Sequence, residues 1–156
     1  MNELHNIIWS LLDQEKGVKL SRLIKEVYLV DWKCAFAYPP RPCTFVWSYG
    51  PCGPTSKKII ECIQEHPDLF RIEETCNSDG VQIVTIFKMA VEYKVSLSKE
   101  VQSAVELVLK VARPKDLEAL SLLVSSTYPI MRSAILDELD IEKFAIEYRE
   151  VLKNRT

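Results

Sequence analysis

The sequence predicts an α+β fold: a mostly helical single domain over residues 1–156, with about six helices and a small three-stranded antiparallel sheet that includes a β-hairpin. Three observations lead to this prediction. Apolar residues recur at helical spacing along most of the chain, two β-rich runs flank a hairpin signal, and no linker or internal repeat divides the sequence. A composition of 47% hydrophobic and 27% charged residues is typical of a folded globular protein.

Two helices are predicted at the start of the chain. Leu4, Ile7, Ile8 and Leu11 share one helical face, and Gly17 is a plausible stop. A second helix is predicted to begin near Val18 or Leu20 and to run to about Ala37, and the run PPRP at 39–42 ends it because proline cannot continue a helix. That helix carries two apolar stripes, which indicates burial on more than one side.

The middle of the chain predicts a strand, a helix and a hairpin. Residues 44–49 (TFVWSY) are aromatic and β-branched, so they predict a short strand. Thr55 or Ser56 can cap a helix that ends at His66-Pro67. Runs at 69–75 and 81–88 flank NSDG, and the Asp-Gly pair readily adopts the positive φ of a tight turn. The second of these strands is apolar on both faces, which predicts a central position.

The second half of the chain predicts three helices. Ser98 can cap a helix over residues 99–112. Pro114 is expected to begin the next, which stops at residues 125–129 (SSTYP). The last runs from about Asp137 to Lys153, with acidic residues at its start and basic ones at its end, as the helix dipole favours.

Charge and composition narrow the function classes. A net charge of −2 and a pI near 5.8 disfavour nucleic acid and anionic lipid as partners. No stretch is apolar enough for a membrane span and the start lacks a signal peptide, so we expect a cytoplasmic protein. Five cysteines without any C-x-x-C pair predict reduced thiols packed as small hydrophobes, with no metal site: Cys34, Cys43, Cys52, Cys62 and Cys76.

The sequence contains none of the common catalytic or nucleotide-binding motifs, so no enzyme activity, no catalytic residue and no cofactor is predicted. There is no G-x-G-x-x-G, G-K-[ST], H-E-x-x-H or G-x-S-x-G motif. Of the two histidines, His66 is predicted to sit at a helix C-terminus and His5 at the surface. The neighbouring Glu73 and Glu74 alternate across a strand, so their carboxylates do not converge.

A DNA-binding regulator is the alternative function. The order helix, helix, strand, helix, hairpin is close to that of a winged-helix module, with residues 56–65 in the place of a recognition helix. The charges disfavour this reading, since Lys57 and Lys58 are offset by Glu61 and Glu65, and the tip of the hairpin carries Asp79.

Three segments resemble the Panacea domain, the antitoxin domain also called SocA-like or GepA-like. These are residues 23–32 (LIKEVYLVDW), 45–51 (FVWSYGP) and 126–129 (STYP), and the likeness extends over about residues 4–150. The chain departs from the family pattern at Val30, where alanine is common, and near Ser126 and Ile130, where histidine and tryptophan are frequent. Cys52-Gly53-Pro54 elaborates the usual Gly-Pro corner.

The resemblance implies a non-catalytic protein that neutralises a cognate toxin by direct binding, in some cases as an adaptor that delivers it to a protease. A chaperone is a further possible partner, and phage defence a possible setting. The candidate partner-binding residues are Tyr28, Asp31, Trp32, Trp47 and Tyr49. Two interpretations stay open for them: an exposed aromatic edge that anchors the partner, or internal packing in which Asp31 accepts hydrogen bonds from backbone N–H groups or the Trp indole.

The glycines and prolines at 50–54 predict a structural corner between strand and helix. Gly50 is expected to allow a backbone geometry that other residues avoid, and Pro51 to fix the exit of the chain. Gly53 and Pro54 are expected to begin the third helix.

Overall fold

The fold is α+β, as predicted. A computed structural model describes residues 3–13 and 15–155, which contain seven helices and six strands in two small antiparallel sheets. In chain order the elements are α1 (Leu4–Leu11), β1 (Val18–Lys19), α2 (Leu20–Ala37), β2 (Trp47–Gly50), β3 (Gly53–Thr55), α3 (Lys57–Glu65), β4 (Phe70–Cys76), β5 (Gln82–Lys88), α4 (Lys99–Ala112), α5 (Leu117–Ser125), α6 (Tyr128–Met131), β6 (Glu138–Leu139) and α7 (Ile141–Lys153).

Helix α2 forms the centre of the molecule. It packs against α1, α4, α5 and α7 and also contacts strands of both sheets. Leu23 and Val27 are buried on one side, and Tyr28 and Trp32 are buried on the other. Its two apolar stripes are therefore buried on more than one side, as predicted. The helix begins at Leu20, the later of the two predicted starts, because Val18 and Lys19 pair with β5 as strand β1.

The first sheet has the order β1-β5-β4. Strands β4 and β5 form the predicted hairpin, in which the Asn77 side chain accepts hydrogen bonds from the backbone N–H groups of Asp79 and Val81, each at 2.9 Å. Gly80 supplies the positive φ of +77°. Strand β5 lies in the centre with Ile86 fully buried, as its apolar faces predict.

The second sheet, of order β3-β2-β6, extends beyond the single strand that the sequence predicts there. Its hairpin pairs Ser48 with Thr55, and its third strand pairs Leu139 with Trp47. The sequence predicts residues 138 and 139 within the last helix, but that helix begins at Ile141, where Asp140 accepts a hydrogen bond from the backbone N–H of Lys143.

Two prolines lie outside the helices that they were expected to begin. Pro54 belongs to strand β3, and α3 begins after Ser56, whose hydroxyl accepts from the N–H of Lys58 at 3.2 Å. Pro114 precedes α5, which begins at Leu117 because Asp116 accepts from the N–H of Ala119 at 2.8 Å. In both places a side-chain oxygen that satisfies a free backbone N–H sets the start of the helix.

Across residues 3–13 and 15–155, every helix is too short or too polar to cross a bilayer.

Candidate partner-binding site

Asp31 is the centre of a buried polar cluster between α2 and strand β2. Its side chain has no solvent exposure and forms an ion pair with Arg41, whose Nη2 lies 2.7 Å from Oδ2. The indole Nε1 of Trp47 donates to the same oxygen at 2.8 Å, and the backbone N–H of Cys43 donates to Oδ1 at 3.2 Å. These are the hydrogen bonds expected if Asp31 packs the corner internally.

Arg41 extends this cluster towards the last helix. Its guanidinium also donates to the carbonyl of Phe45 at 2.8 Å and to Glu142 Oε1 at 3.3 Å. Burial alone would lower the pKa of Arg41, but its hydrogen bonds and charge interaction with Asp31, together with Glu142, raise it above its usual value. The guanidinium is therefore a permanent cation that joins residues 31, 45 and 142.

Tyr28 joins the cluster to the start of α6. Its ring meets the ring of Trp47 edge-on, at a centroid distance of 5.6 Å and an angle of 89°. Its hydroxyl lies 2.9 Å from Thr127 Oγ1, and because the Thr127 hydroxyl donates to the carbonyl of Val124, Tyr28 is the donor. Burial raises the pKa of Tyr28 well above its ordinary value, so this donor keeps its proton.

The three segments that carry the family resemblance therefore meet in space. Tyr28 and Asp31 come from the first segment, Trp47 from the second and Thr127 from the third, and hydrogen bonds or ring contacts join them. They form one polar and aromatic centre inside the molecule.

Four of the five predicted partner-binding side chains are buried within the chain: Tyr28, Asp31, Trp32 and Trp47. Trp32 packs against Phe36 and Tyr148, with ring centroids 5.1 and 5.5 Å away. Their surfaces are already covered by the chain itself, so these four correspond to the internal-packing interpretation and leave no exposed aromatic edge. Only Tyr49 is partly exposed.

The Gly-Pro corner is a β-hairpin between β2 and β3, with Pro51 and Cys52 in its turn. The positive φ expected at Gly50 occurs instead at Gly53, at +110°. Gly50 is restricted by space, since a Cβ there would lie 3.2 Å from Thr55 Cγ2. Pro54 is buried and pairs with Tyr49 across the hairpin.

Tyr49 connects this hairpin to a surface loop that lies outside the predicted partner-binding residues. The Leu136 loop, defined here as residues 131–137, starts at Met131, the last residue of α6, and runs to the start of β6. The backbone of Tyr49 accepts from the N–H of Leu136 at 2.8 Å and donates to the carbonyl of Asp137 at 2.9 Å. Within the loop, the N–H of Ala134 donates to Asp137 Oδ2 at 2.9 Å.

The Leu136 loop presents large apolar side chains to solvent. Leu136 is 87% exposed, Met131 69% and Ile135 55%. Leu136 also has a φ of +84°, a left-handed conformation that is unusual for a leucine. The sequence signal was the apolar run AIL at 134–136, which lies outside any helical or strand pattern.

The two histidines stack on each other between α1 and the end of α3, with ring centroids 4.6 Å apart. His66 Nδ1 lies 2.9 Å from the carbonyl of Cys62, which agrees with the predicted position at a helix C-terminus. His5, expected at the surface, is half-buried, with the rings of His66 and Tyr93 beside it. Burial, and secondarily the charge of His66, lower the pKa of His5.

The described residues contain no group of three or more His, Cys, Asp or Glu side chains arranged to hold a metal ion. All five cysteines are free thiols, and Cys34, Cys43 and Cys62 are buried as expected of small hydrophobes. Burial raises the pKa of Cys62 to about 11, so that thiol is unreactive near neutral pH. Cys52 and Cys76 differ from the expectation because they lie exposed in a turn and at a strand end.

Comparison of the chain with protein-family models, with curated proteins and with solved structures finds no match in any of the three.

Proposed function

We propose that this protein is an antitoxin-like interaction module of the Panacea type, which acts in the cytoplasm and neutralises a cognate toxin by direct binding. In this proposal the polar and aromatic residues of the Asp31 cluster have an architectural role, and the partner contacts a surface that they support. A protease or chaperone could then receive the bound toxin from this chain acting as an adaptor.

The observation that carries the proposal is the exposed apolar Leu136 loop beside Tyr49. Three large apolar side chains occur within six residues there, each more than half exposed. Apolar side chains grouped on a protein surface are typical of protein–protein contact sites. The backbone bonds to Tyr49 join this loop to strand β2, whose Trp47 is fixed by Asp31, so the loop is presented by a buried framework.

Coexpression tests the proposal. The product of the gene adjacent to the one encoding this chain is expressed in a growth assay, alone and together with this chain. Rescue of growth and co-purification of a stoichiometric complex are the expected results. Failure of both, with this chain shown to be folded and expressed, would contradict toxin neutralisation.

A winged-helix DNA-binding regulator is the second candidate, because α3 is followed directly by the β4–β5 hairpin in one sheet with β1. The exposed charges oppose it: Lys58 is paired with Glu61 at 3.6 Å, and Arg71 with Glu73 at 2.9 Å. DNA binding predicts a salt-sensitive gel shift of the chain's own promoter, which Lys57→Glu with Lys58→Glu abolishes. A shift that ignores these changes would remove this candidate.

A further inference from the structure

Leu136 combines an unusual backbone conformation with high exposure to solvent. Its left-handed backbone brings Cβ close to the following carbonyl oxygen, which disfavours every residue that has a Cβ. Its side chain is 87% exposed, so packing within the chain does not compensate for this conformation. Strained residues of this kind are concentrated at ligand contacts and switches, where the strained geometry aims a side chain.

The loop's hydrogen bonds hold Leu136 in this orientation. Its N–H donates to the carbonyl of Tyr49, and the N–H of Tyr49 donates to the carbonyl of Asp137. The Asp137 carboxylate also accepts from the N–H of Ala134. The leucine side chain is therefore presented on a constrained backbone. A backbone that is already fixed loses little conformational entropy on binding, which suits the position of an anchor residue.

The charges beside this anchor are mostly negative. Asp137, Glu138 and Asp140 are exposed, and none of them has an ion-pair partner within residues 3–13 and 15–155. Arg132 is the only basic residue in the sequence from 131 to 142, and its guanidinium lies 5.9 Å from the Tyr128 ring. We call Asp137, Glu138 and Asp140 the acidic edge of the Leu136 loop. Its negative charge repels nucleic acid and anionic lipid and attracts a basic protein surface.

We propose that Leu136, with Ile135 beside it, inserts into an apolar socket on the partner protein, and that Asp137, Glu138 and Asp140 face lysine or arginine side chains around that socket. This inference rests on the proposed function and specifies the chemistry of the toxin surface that the chain covers. It makes Leu136 the anchor and the acidic residues the determinants of association rate.

The decisive experiment measures binding of the purified adjacent-gene product to the wild-type chain and to variants by surface plasmon resonance. Leu136→Gly should weaken the complex by at least tenfold, mainly through faster dissociation. The same substitution should leave the urea midpoint unchanged or raise it, because glycine adopts positive φ freely. Ile135→Gly is the matched stability control, since residue 135 has no positive φ and should lower the midpoint.

A second pair of variants tests the acidic edge. Glu138→Lys should slow association several-fold and weaken its dependence on salt concentration, whereas Asp79→Lys on the other sheet's hairpin should leave association unchanged.

Val81→Ala, at an exposed apolar residue of the β4–β5 hairpin, is the matched control for the loss of an exposed apolar side chain and should retain full affinity.

The outcomes separate the two proposals. A wild-type complex whose affinity is unchanged by both Leu136→Gly and Glu138→Lys would overturn this inference and leave toxin binding intact. Absence of any complex with the folded wild-type chain would overturn the proposed function, and this inference with it. Loss of affinity in Leu136→Gly with an undiminished urea midpoint supports both.

Discussion

At the scale of single residues, Asp31 shows how a charge is accommodated without solvent. A buried carboxylate is costly unless it is paired and hydrogen-bonded. Asp31 receives the Arg41 guanidinium, the Trp47 indole N–H and the Cys43 backbone N–H, so both of its oxygens are occupied. Replacing Asp31 therefore lowers stability mainly because these three buried donors lose their acceptor.

Asp31→Ala is expected to lower the free energy of unfolding by about 3–5 kcal/mol, because it removes the buried carboxylate that pairs with Arg41 and leaves this cation facing the exposed Glu142. Urea denaturation followed by fluorescence measures this change. Glu73→Ala, which removes an exposed ion pair with Arg71, is the control and should cost less than about 1 kcal/mol. Equal effects of the two substitutions would contradict the role given to Asp31.

His5 predicts a pH dependence of stability with a definite sign. Its pKa is lowered in the folded state by burial and by the charge of His66, and Asp68 offsets this only in part. Between that lowered pKa and the unfolded value of about 6.5, the unfolded chain binds more protons than the folded chain. Stability should therefore fall as pH drops below about 6.5 and level off below the folded pKa.

NMR titration of the two imidazoles checks this prediction through the midpoint for His5. His66→Asn should raise that midpoint only part of the way towards the ordinary value, because burial is the larger cause. A wild-type midpoint for His5 at or above the ordinary histidine value would contradict the stacked arrangement.

At the scale of elements, side-chain caps set where the helices begin. Ser56, Ser98, Asp116 and Asp140 each accept a backbone N–H from the first turn of the following helix. The first N–H groups of a helix have no partner within it, so a capping oxygen both satisfies a donor and fixes the starting residue.

Ser98→Ala is expected to destabilise the protein by about 1 kcal/mol, because the N–H of Val101 loses its acceptor at 3.3 Å. Thermal or urea unfolding measures the difference. The matched control is Ser103→Ala, an exposed position inside α4, which should be neutral or slightly stabilising because alanine favours helix. If both serines behave alike, Ser98 is not acting as a cap.

At the scale of the whole molecule, α2 connects the other parts. It contacts four helices and strands of both sheets, and the Asp31 cluster joins it to β2 and, through Arg41, to α7. Glu26, fully buried on the same helix, pairs with Arg113 at 3.0 Å and so connects α2 to the end of α4. Few parts of the molecule could separate without breaking contacts to this helix.

We therefore expect a single cooperative unfolding transition. Tryptophan fluorescence reports on α1, α2 and β2 through Trp9, Trp32 and Trp47, and far-UV circular dichroism reports on all the helices. The two signals should give the same urea midpoint. Separate midpoints would show that the chain unfolds as more than one unit and would contradict the predicted single domain.

Signals that act within a few residues made much of the fold predictable. The α+β class, helix α2, the Ser98 cap and the Asp-Gly hairpin each depend on periodicity, capping or turn chemistry that the local sequence contains. Where two local signals compete, prediction was less exact: Pro54 and Pro114 suit a first helical turn, but the helices begin later, at capped positions.

The site depended on contacts between distant parts of the chain. The sequence alone determined which residues are candidates, but tryptophan and tyrosine suit both a core and an interface, so burial of Trp47 and Tyr28 required knowledge of what covers them. Pairing of Trp47 with Leu139 brings residues 136 and 137 beside Tyr49 and holds Leu136 in its left-handed conformation. No local pattern encodes that pairing, because it exists only when the two segments meet in the folded chain.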